Sequence, residues 1–247
     1  MERSKNPLRD RLIVALDQPD LASALAHVDR LGDAVEWYKV GLQLYCAAGR
    51  EAVRELSSRG KRVFLDLKLH DIPATVERAV RALDGLPVGL LTVHAAGGPE
   101  MLRVAAESAQ ALAAKPCVLG VTMLTSLDGA ELPALWNPKT TLEDKVLALA
   151  RTCAEAGCGG VVASPRELRA LRLEHEPPFL LVTPGIRGPK DPPGDQKRTL
   201  SLPEALAQGA DFVVVGRPIL EAPDPRAAVA ALASALSAAP MTERTHA

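Results

Sequence analysis

Short, nearly continuous apolar runs alternate with longer amphipathic ones from one end of the chain to the other. Eight of the runs have strand length: LIVALD (12–17), EWYKVG (36–41), VFLDLK (63–68), GLLTVH (89–94), CVLGVTML (117–124), GGVVAS (159–164), FLLVTPG (179–185) and DFVVVGR (211–217). Apolarity on successive residues, rather than on every second one, predicts parallel strands covered on both faces.

The stretches between them carry helix signals. In SPRELRALRLE, Ser164 predicts an N-cap with Pro165 at the first helical position, and in TTLEDKVLALARTCAEAG, Thr140 and Glu143 predict a capping box with Gly157 as a stop. The segment after Pro73, ATVERAVRALDG, places Val76, Ala79, Val80 and Leu83 on one face and ends at Gly85. Eight strands alternating with helices predict an α/β fold, the (β/α)8 TIM barrel. The structural rival, an open doubly wound sheet, lacks the GxGxxG it needs after a first strand. Beyond this alternation the sequence has no repeat, low-complexity block or interdomain linker. A single domain over residues 1–247 is therefore expected, with a frayed tail from about Ser237.

The polar exceptions to the apolar runs fall at one end of the predicted strands, the C-terminal end, where barrels of this kind carry their chemistry. They are Asp17, Lys39, Asp66 with Lys68, His94, Thr125, the loop that starts Thr183-Pro184-Gly185, and Gly216-Arg217. Asp66 and Lys68 stand two apart in FLDLKLHDIPAT (64–75), so strand alternation turns both toward the barrel interior, with Leu65, Leu67 and Leu69 toward the helices. Unpaired, each buried charge would cost on the order of several kcal/mol. The plainer reading is a structural ion pair that plugs the barrel. Lys39 adds a second cation from an adjacent strand, and Asp71 a second acid, so the mouth is expected to hold two lysines and two aspartates in alternation. Opposite neighbours keep every member of such a set charged. The array suits repelling one anion, stabilising a new one and delivering a proton.

A second group of residues fits phosphate. VTPGIRGPKDPPGDQKR after the seventh run and VVGRP after the eighth combine glycine turns with Arg187 and Arg217, in the part of a barrel that most often grips phosphate. The loop from Gly185 to Arg198, with Gln196 near its end, is long enough to close as a lid. The alternative is an ordinary exposed loop with solvated arginines.

Composition narrows the picture further. The chain has 247 residues and is 47% apolar, enough for one substantial core, and its formal net charge of -1 supplies no bulk field for nucleic acid or an anionic membrane. Any anion site must be local. The first apolar run, Leu12 to Leu16, is too short for a signal-peptide core, and no stretch approaches a membrane span, so a cytoplasmic protein is expected. Cys46, Cys117, Cys153 and Cys158 form neither a CxxC pair nor a zinc-like cluster with histidine, and read as buried or incidental thiols; no metal site is expected. His70 and His94 lie near the charged cluster but read as bystanders, Trp37 and Tyr38 as packing residues, Trp136 as a loop cap, and RELRALR (166–172) as a solvated helix face.

Taken together, ALD at 15–17, YKVG at 38–41, DLKLHDIPATV at 66–76, TVHAAGG at 92–98, VTMLTS at 121–126, TPGIR at 183–187, GDQKR at 194–198 and VVGRPI at 214–219 closely resemble the orotidine 5'-phosphate decarboxylases. The resemblance covers most of the chain, in order. It implies loss of CO2 from orotidine 5'-phosphate to give UMP, in de novo pyrimidine synthesis, with no metal or organic cofactor. By position, it implies that Lys68 protonates the C6 carbanion and that Lys39, Asp66 and Asp71 complete the charged array. Asp71 would reach the neighbouring subunit's site with Ile72 and Thr75, which implies a homodimer with shared active sites. Asp17 would bind the ribose hydroxyls, Thr125 and Ser126 the pyrimidine, and Pro184, Arg187, Gln196, Gly216 and Arg217 the phosphate end. The nearest rival is a magnesium-dependent sugar-phosphate decarboxylase or aldolase of the same superfamily, similar to 3-keto-gulonate 6-phosphate decarboxylase or hexulose-phosphate synthase. Those enzymes share the DxKxxD strand but have an acid where this chain has Lys39, and Mg2+ needs oxygen ligands. A silent phosphate-binding barrel is the alternative from another class.

Overall fold

All eight apolar runs form strands. The computed structural model describes residues 8–127, 140–186 and 198–238. In it β1 (Leu12–Ala15), β2 (Trp37–Gly41), β3 (Arg62–Leu69), β4 (Val88–His94), β5 (Cys117–Val121), β6 (Gly160–Val162), β7 (Leu180–Thr183) and β8 (Phe212–Val215) make a closed parallel barrel in chain order. The closing seam pairs Leu12 with Val213 and Val14 with Val215. The helices that cover it are α1 (Leu21–Leu31), α2 (Leu42–Ala48), α3 (Arg50–Ser58), α4 (Pro73–Arg81), α5 (Gly98–Ala111), α6 (Leu142–Glu155), α7 (Leu168–Glu174), α8 (Leu202–Ala207), α9 (Arg217–Leu220) and α10 (Pro225–Ala238).

Two apolar clusters follow from strand alternation. Val14, Tyr38, Leu65, Leu91, Val118, Val161, Leu181 and Val213 face the helices, whereas Ile13, Ala15, Trp37, Phe64, Leu90, Leu119, Val182 and Val214 fill the barrel. Trp37 and Tyr38 are thus core residues, one on each side of the sheet. Two residues further along, the inward positions turn polar: Trp37 is followed by Lys39, Phe64 by Asp66 and Leu90 by Thr92. An apolar plug therefore closes the barrel below a polar mouth.

Several local expectations are corrected. Helix α6 is capped by Thr141 and Asp144, one residue later than Thr140 and Glu143: the Asp144 N–H donates to Thr141 Oγ1 at 3.1 Å and the Thr141 N–H returns to Asp144 Oδ2 at 3.3 Å. Both registers read T-x-x-acid, so the local pattern offers two overlapping boxes and the helix start selects the second. Helix α4 stops at Arg81, before Leu83 and the left-handed Gly85 at φ 74°. Ser164 caps a single 3-10 turn, Pro165–Glu167, ahead of α7. RELRALR is not a solvated face. Glu167 is buried, and the Arg172 guanidinium donates to the carbonyls of Gly209, His175 and Phe179 and to Asp211. Arg166 and Arg169 alone match the expected exposure. Among the cysteines Cys153 and Cys158 are buried, Cys117 is half-buried and Cys46 is exposed. Ser237 and Ala238 close α10; the remainder of the expected tail and Trp136 lie outside the described residues. No helix among the described residues is long and apolar enough to cross a membrane.

Candidate active site

The polar mouth opens into a cavity of about 750 Å³ whose wall includes Asp17, Lys39, Asp66, Lys68, Thr125, Pro184, Gly216 and Arg217. These eight residues come from the ends of six different strands, which is the arrangement a barrel imposes on groups separated in sequence. Register does the fine placement: Ala15 is paired with Lys39, and Gly41 with Asp66.

Four of the eight form one chain of alternating charge. Lys39 Nζ lies 2.7 Å from Asp17 Oδ1 and 3.7 Å from Asp66 Oδ2, and Lys68 Nζ lies 2.7 Å from the same Asp66 oxygen. Asp17 reaches into solvent, while Asp66 is 7% exposed. Desolvating that carboxylate is offset by two ammonium groups and a hydroxyl, the form in which a buried charge is tolerated. The expected alternation of two lysines and two aspartates is present, but Asp17 stands in it where Asp71 was expected. Asp71 is exposed, and its Oδ1 accepts the Ile72 N–H at 2.7 Å instead.

Strand β3 holds its charges by a less regular route than alternation. After Leu65 pairs with Leu91 the ladder breaks, and it resumes only at Leu69 with Val93. Lys68 sits inside that bulge with φ 49°, a left-handed backbone that costs a side-chain-bearing residue roughly 1–2 kcal/mol. Its N–H donates to Thr92 Oγ1 at 2.9 Å, and the Thr92 hydroxyl donates to Asp66 Oδ1 at 2.9 Å. Backbone strain held by fixed partners clusters at functional sites, which marks Lys68 as a candidate.

Gly41 is a second residue the sequence reading passed over. A Cβ there would lie 2.6 Å from Lys39 Nζ and 2.9 Å from Asp17 Oδ1, so any side chain at this position would push the two charged ends of the ion pair from where they meet. The pattern YKVG contained the signal, a glycine two residues beyond an inward lysine. Glu167 and Arg198 form a third overlooked feature. This buried ion pair joins the loop after β6 to the end of the loop after β7, and Arg198 also donates to the Leu124 carbonyl at 3.1 Å, next to Thr125. Burial pushes the Glu167 carboxyl up, against the pull of Arg198 and of the Ser164 N–H. The signal here was a Ser-x-x-Glu box whose acid serves two partners.

The remaining expected residues separate into two groups. Ile72, Thr75 and Ser126 are exposed and, like Asp71, do not line the cavity. Arg187 and Gln196 lie outside the described residues. His70 and His94 stack with ring centroids 5.0 Å apart, and neither lines the cavity. Burial lowers the His94 pKa below its ordinary value, helped by the charges of His70 and Lys68.

Comparison with known proteins bears on the whole of this architecture. The sequence model of the orotidine 5'-phosphate decarboxylase / HUMPS family matches residues 10–232. An orotidine 5'-phosphate decarboxylase from Moorella thermoacetica is 48% identical over 231 residues, 92% of each chain. One from Rhodopseudomonas palustris is 48% identical over 233 residues, covering 94% of this chain and 96% of the relative. Among solved structures, the orotidine 5'-phosphate decarboxylase of Lactobacillus acidophilus superposes with a TM-score of 0.81 at 36% identity, covering 93% of this chain and all of that one. Similarity of this depth, running through every strand of the barrel, makes the chain a member of the orotidine 5'-phosphate decarboxylase / HUMPS family.

Proposed function

We propose that the protein decarboxylates orotidine 5'-phosphate to UMP in pyrimidine biosynthesis. The observation that carries this reading is the Asp17–Lys39–Asp66–Lys68 array at the cavity wall. Relatives that carry the decarboxylase name, at 46–48% identity, supply the substrate. The family also takes in the sugar-phosphate enzymes. Against that alternative stands Lys39, whose ammonium lies between Asp17 and Asp66 and gives those carboxylates a cation already. Among the described residues no three His, Cys, Asp or Glu side chains gather as metal ligands.

In this reading the substrate's C6 carboxylate lies beside Asp66 and Lys68. The C6–CO2 bond breaks, the electron pair stays on C6, and CO2 leaves. The Lys68 ammonium stabilises that carbanion and then transfers a proton to it; water reprotonates the amine. Preorganised charge is the source of rate here, because enzymes lower barriers by roughly 8–23 kcal/mol and no single contact supplies such an amount. Asp17 takes the ribose hydroxyls, Thr125 and Ser126 the pyrimidine, and Pro184, Gly216 and Arg217, with Arg187 and Gln196, the phosphate end. Binding energy from that remote phosphate supports the reacting centre. Exposure of Asp71, Ile72 and Thr75, with Ile72 67% exposed, supports a homodimer in which these residues complete the partner's site. A cytoplasmic location fits a pathway enzyme of this kind.

The test adds orotidine 5'-phosphate to chelator-treated protein and follows conversion to UMP by pyrimidine absorbance. Metal-independent turnover is expected. Folded protein that leaves the substrate untouched, or that turns over only with Mg2+ and a sugar phosphate, overturns the proposal.

A further inference from the structure

We infer that Thr92 is a positioning residue, whose one hydroxyl sets Asp66 and Lys68 as a single unit. The inference rests on the decarboxylase reading and deepens it. Between the register pairs Leu65–Leu91 and Leu69–Val93, three residues of β3 lie opposite one residue of β4, and that one is Thr92. A backbone leaving its ladder must find another acceptor for its N–H. Thr92 Oγ1 is that acceptor for Lys68, at 2.9 Å, in the left-handed conformation that aims the lysine.

A hydroxyl has one proton to give. Thr92 gives it to Asp66 Oδ1 at 2.9 Å, leaving Asp66 Oδ2 for Lys68 Nζ at 2.7 Å. A closed ring results: Lys68 backbone to Thr92, Thr92 to Asp66, Asp66 to the Lys68 ammonium. Rotating the carboxylate or relaxing the Lys68 backbone breaks the hydroxyl's bonds on either side. Thr92 is 0% exposed, so water does not stand in for it. It is absent from the cavity wall and therefore acts through Asp66 and Lys68 rather than on substrate.

The experiment compares Thr92→Val, which keeps the shape and removes the hydroxyl, with Thr92→Ser, which keeps the hydroxyl. A positioning role predicts a kcat loss of roughly 100-fold in the valine variant, the scale of a reacting group misplaced by about 1 Å. KM and the Kd for UMP should stay within about threefold, because the phosphate and ribose contacts are untouched. Thr92→Ser should recover most of the lost kcat. A merely structural hydroxyl would lower the melting temperature of Thr92→Val and leave its kcat at the wild-type level, which overturns the inference. A serine variant as slow as the valine variant overturns it also. Should the valine variant fail to fold, Thr92→Ala takes its place against Thr92→Ser, with equal kcat in the two as the overturning result. An inactive wild type defeats the decarboxylase reading and this inference with it; an active wild type with an equally active valine variant defeats this inference alone.

Discussion

Lys68 joins a strained backbone to the proposed proton transfer. Its ammonium lies 2.7 Å from Asp66, and its backbone is left-handed at φ 49°. Replacing it with alanine removes the proposed proton donor, so Lys68→Ala should lower kcat by at least about 10²–10⁴-fold, the usual contribution of a positioned acid. UMP binding should be largely unchanged, since the remaining wall residues stay in place; near-normal turnover in this variant would eliminate the proposed role. Alanine keeps the strained backbone that glycine adopts freely, so Lys68→Gly should melt at a higher temperature than Lys68→Ala. The pairing of Asp66 with Lys68 was legible in the sequence, because polar residues two apart in an apolar run must share a face. The bulge that shapes it was not, since alternation contains no sign of three residues set against one. Gly41 and Thr92 were hidden for a related reason. Their importance lies in what a neighbouring strand brings close, and that depends on register.

At the scale of elements, the strands were legible because burial on both faces writes the same apolar run at each one. Caps were legible as types but not to the residue, as the move from Thr140 to Thr141 shows. The connections were misread where a charged residue turned inward. Arg172 and Glu167 sit in an arginine-rich segment that looks solvated, yet each meets a partner about 30 or more residues away in sequence, Asp211 and Arg198, and this range is invisible to a local pattern. The Glu167–Arg198 pair is the more consequential, because both side chains are 6% exposed and the arginine also holds the Leu124 carbonyl. Removing one partner of such a pair typically costs roughly 3–5 kcal/mol, whereas exchanging both for apolar side chains of similar size is often neutral or better. Glu167→Gln should therefore lower the melting temperature by about 6–20 °C for a chain of this length. The double variant Glu167→Leu/Arg198→Met should recover most of that loss in a thermal melt. A single variant as stable as the wild type would show the pair to be incidental.

At the scale of the whole molecule, four of the described residues that the family resemblance assigns to binding or catalysis do not line one chain's cavity. Ser126 follows Thr125 directly at the mouth, but Asp71, Ile72 and Thr75 form an exposed group at the start of α4. Their absence from the wall has a simple resolution if a two-fold dimer turns each chain's group toward the other's cavity, since such an interface applies the same patch twice. Mixing two inactive variants separates this arrangement from a site built within one chain. Lys68→Ala removes the proton donor from its own cavity, and Asp71→Asn removes the acid that its chain would contribute to the partner's. In a heterodimer of the two, one cavity carries both defects and the other carries neither. Random re-pairing of equal amounts gives heterodimers as half of the population, each with one intact site of two, so about a quarter of the wild-type rate should return. The measurement is the rate of UMP formation after the variants are mixed, dissociated and reassociated. If Asp71 served its own chain's cavity, every site in the mixture would carry one defect, and the rate would not rise above that of the separate variants.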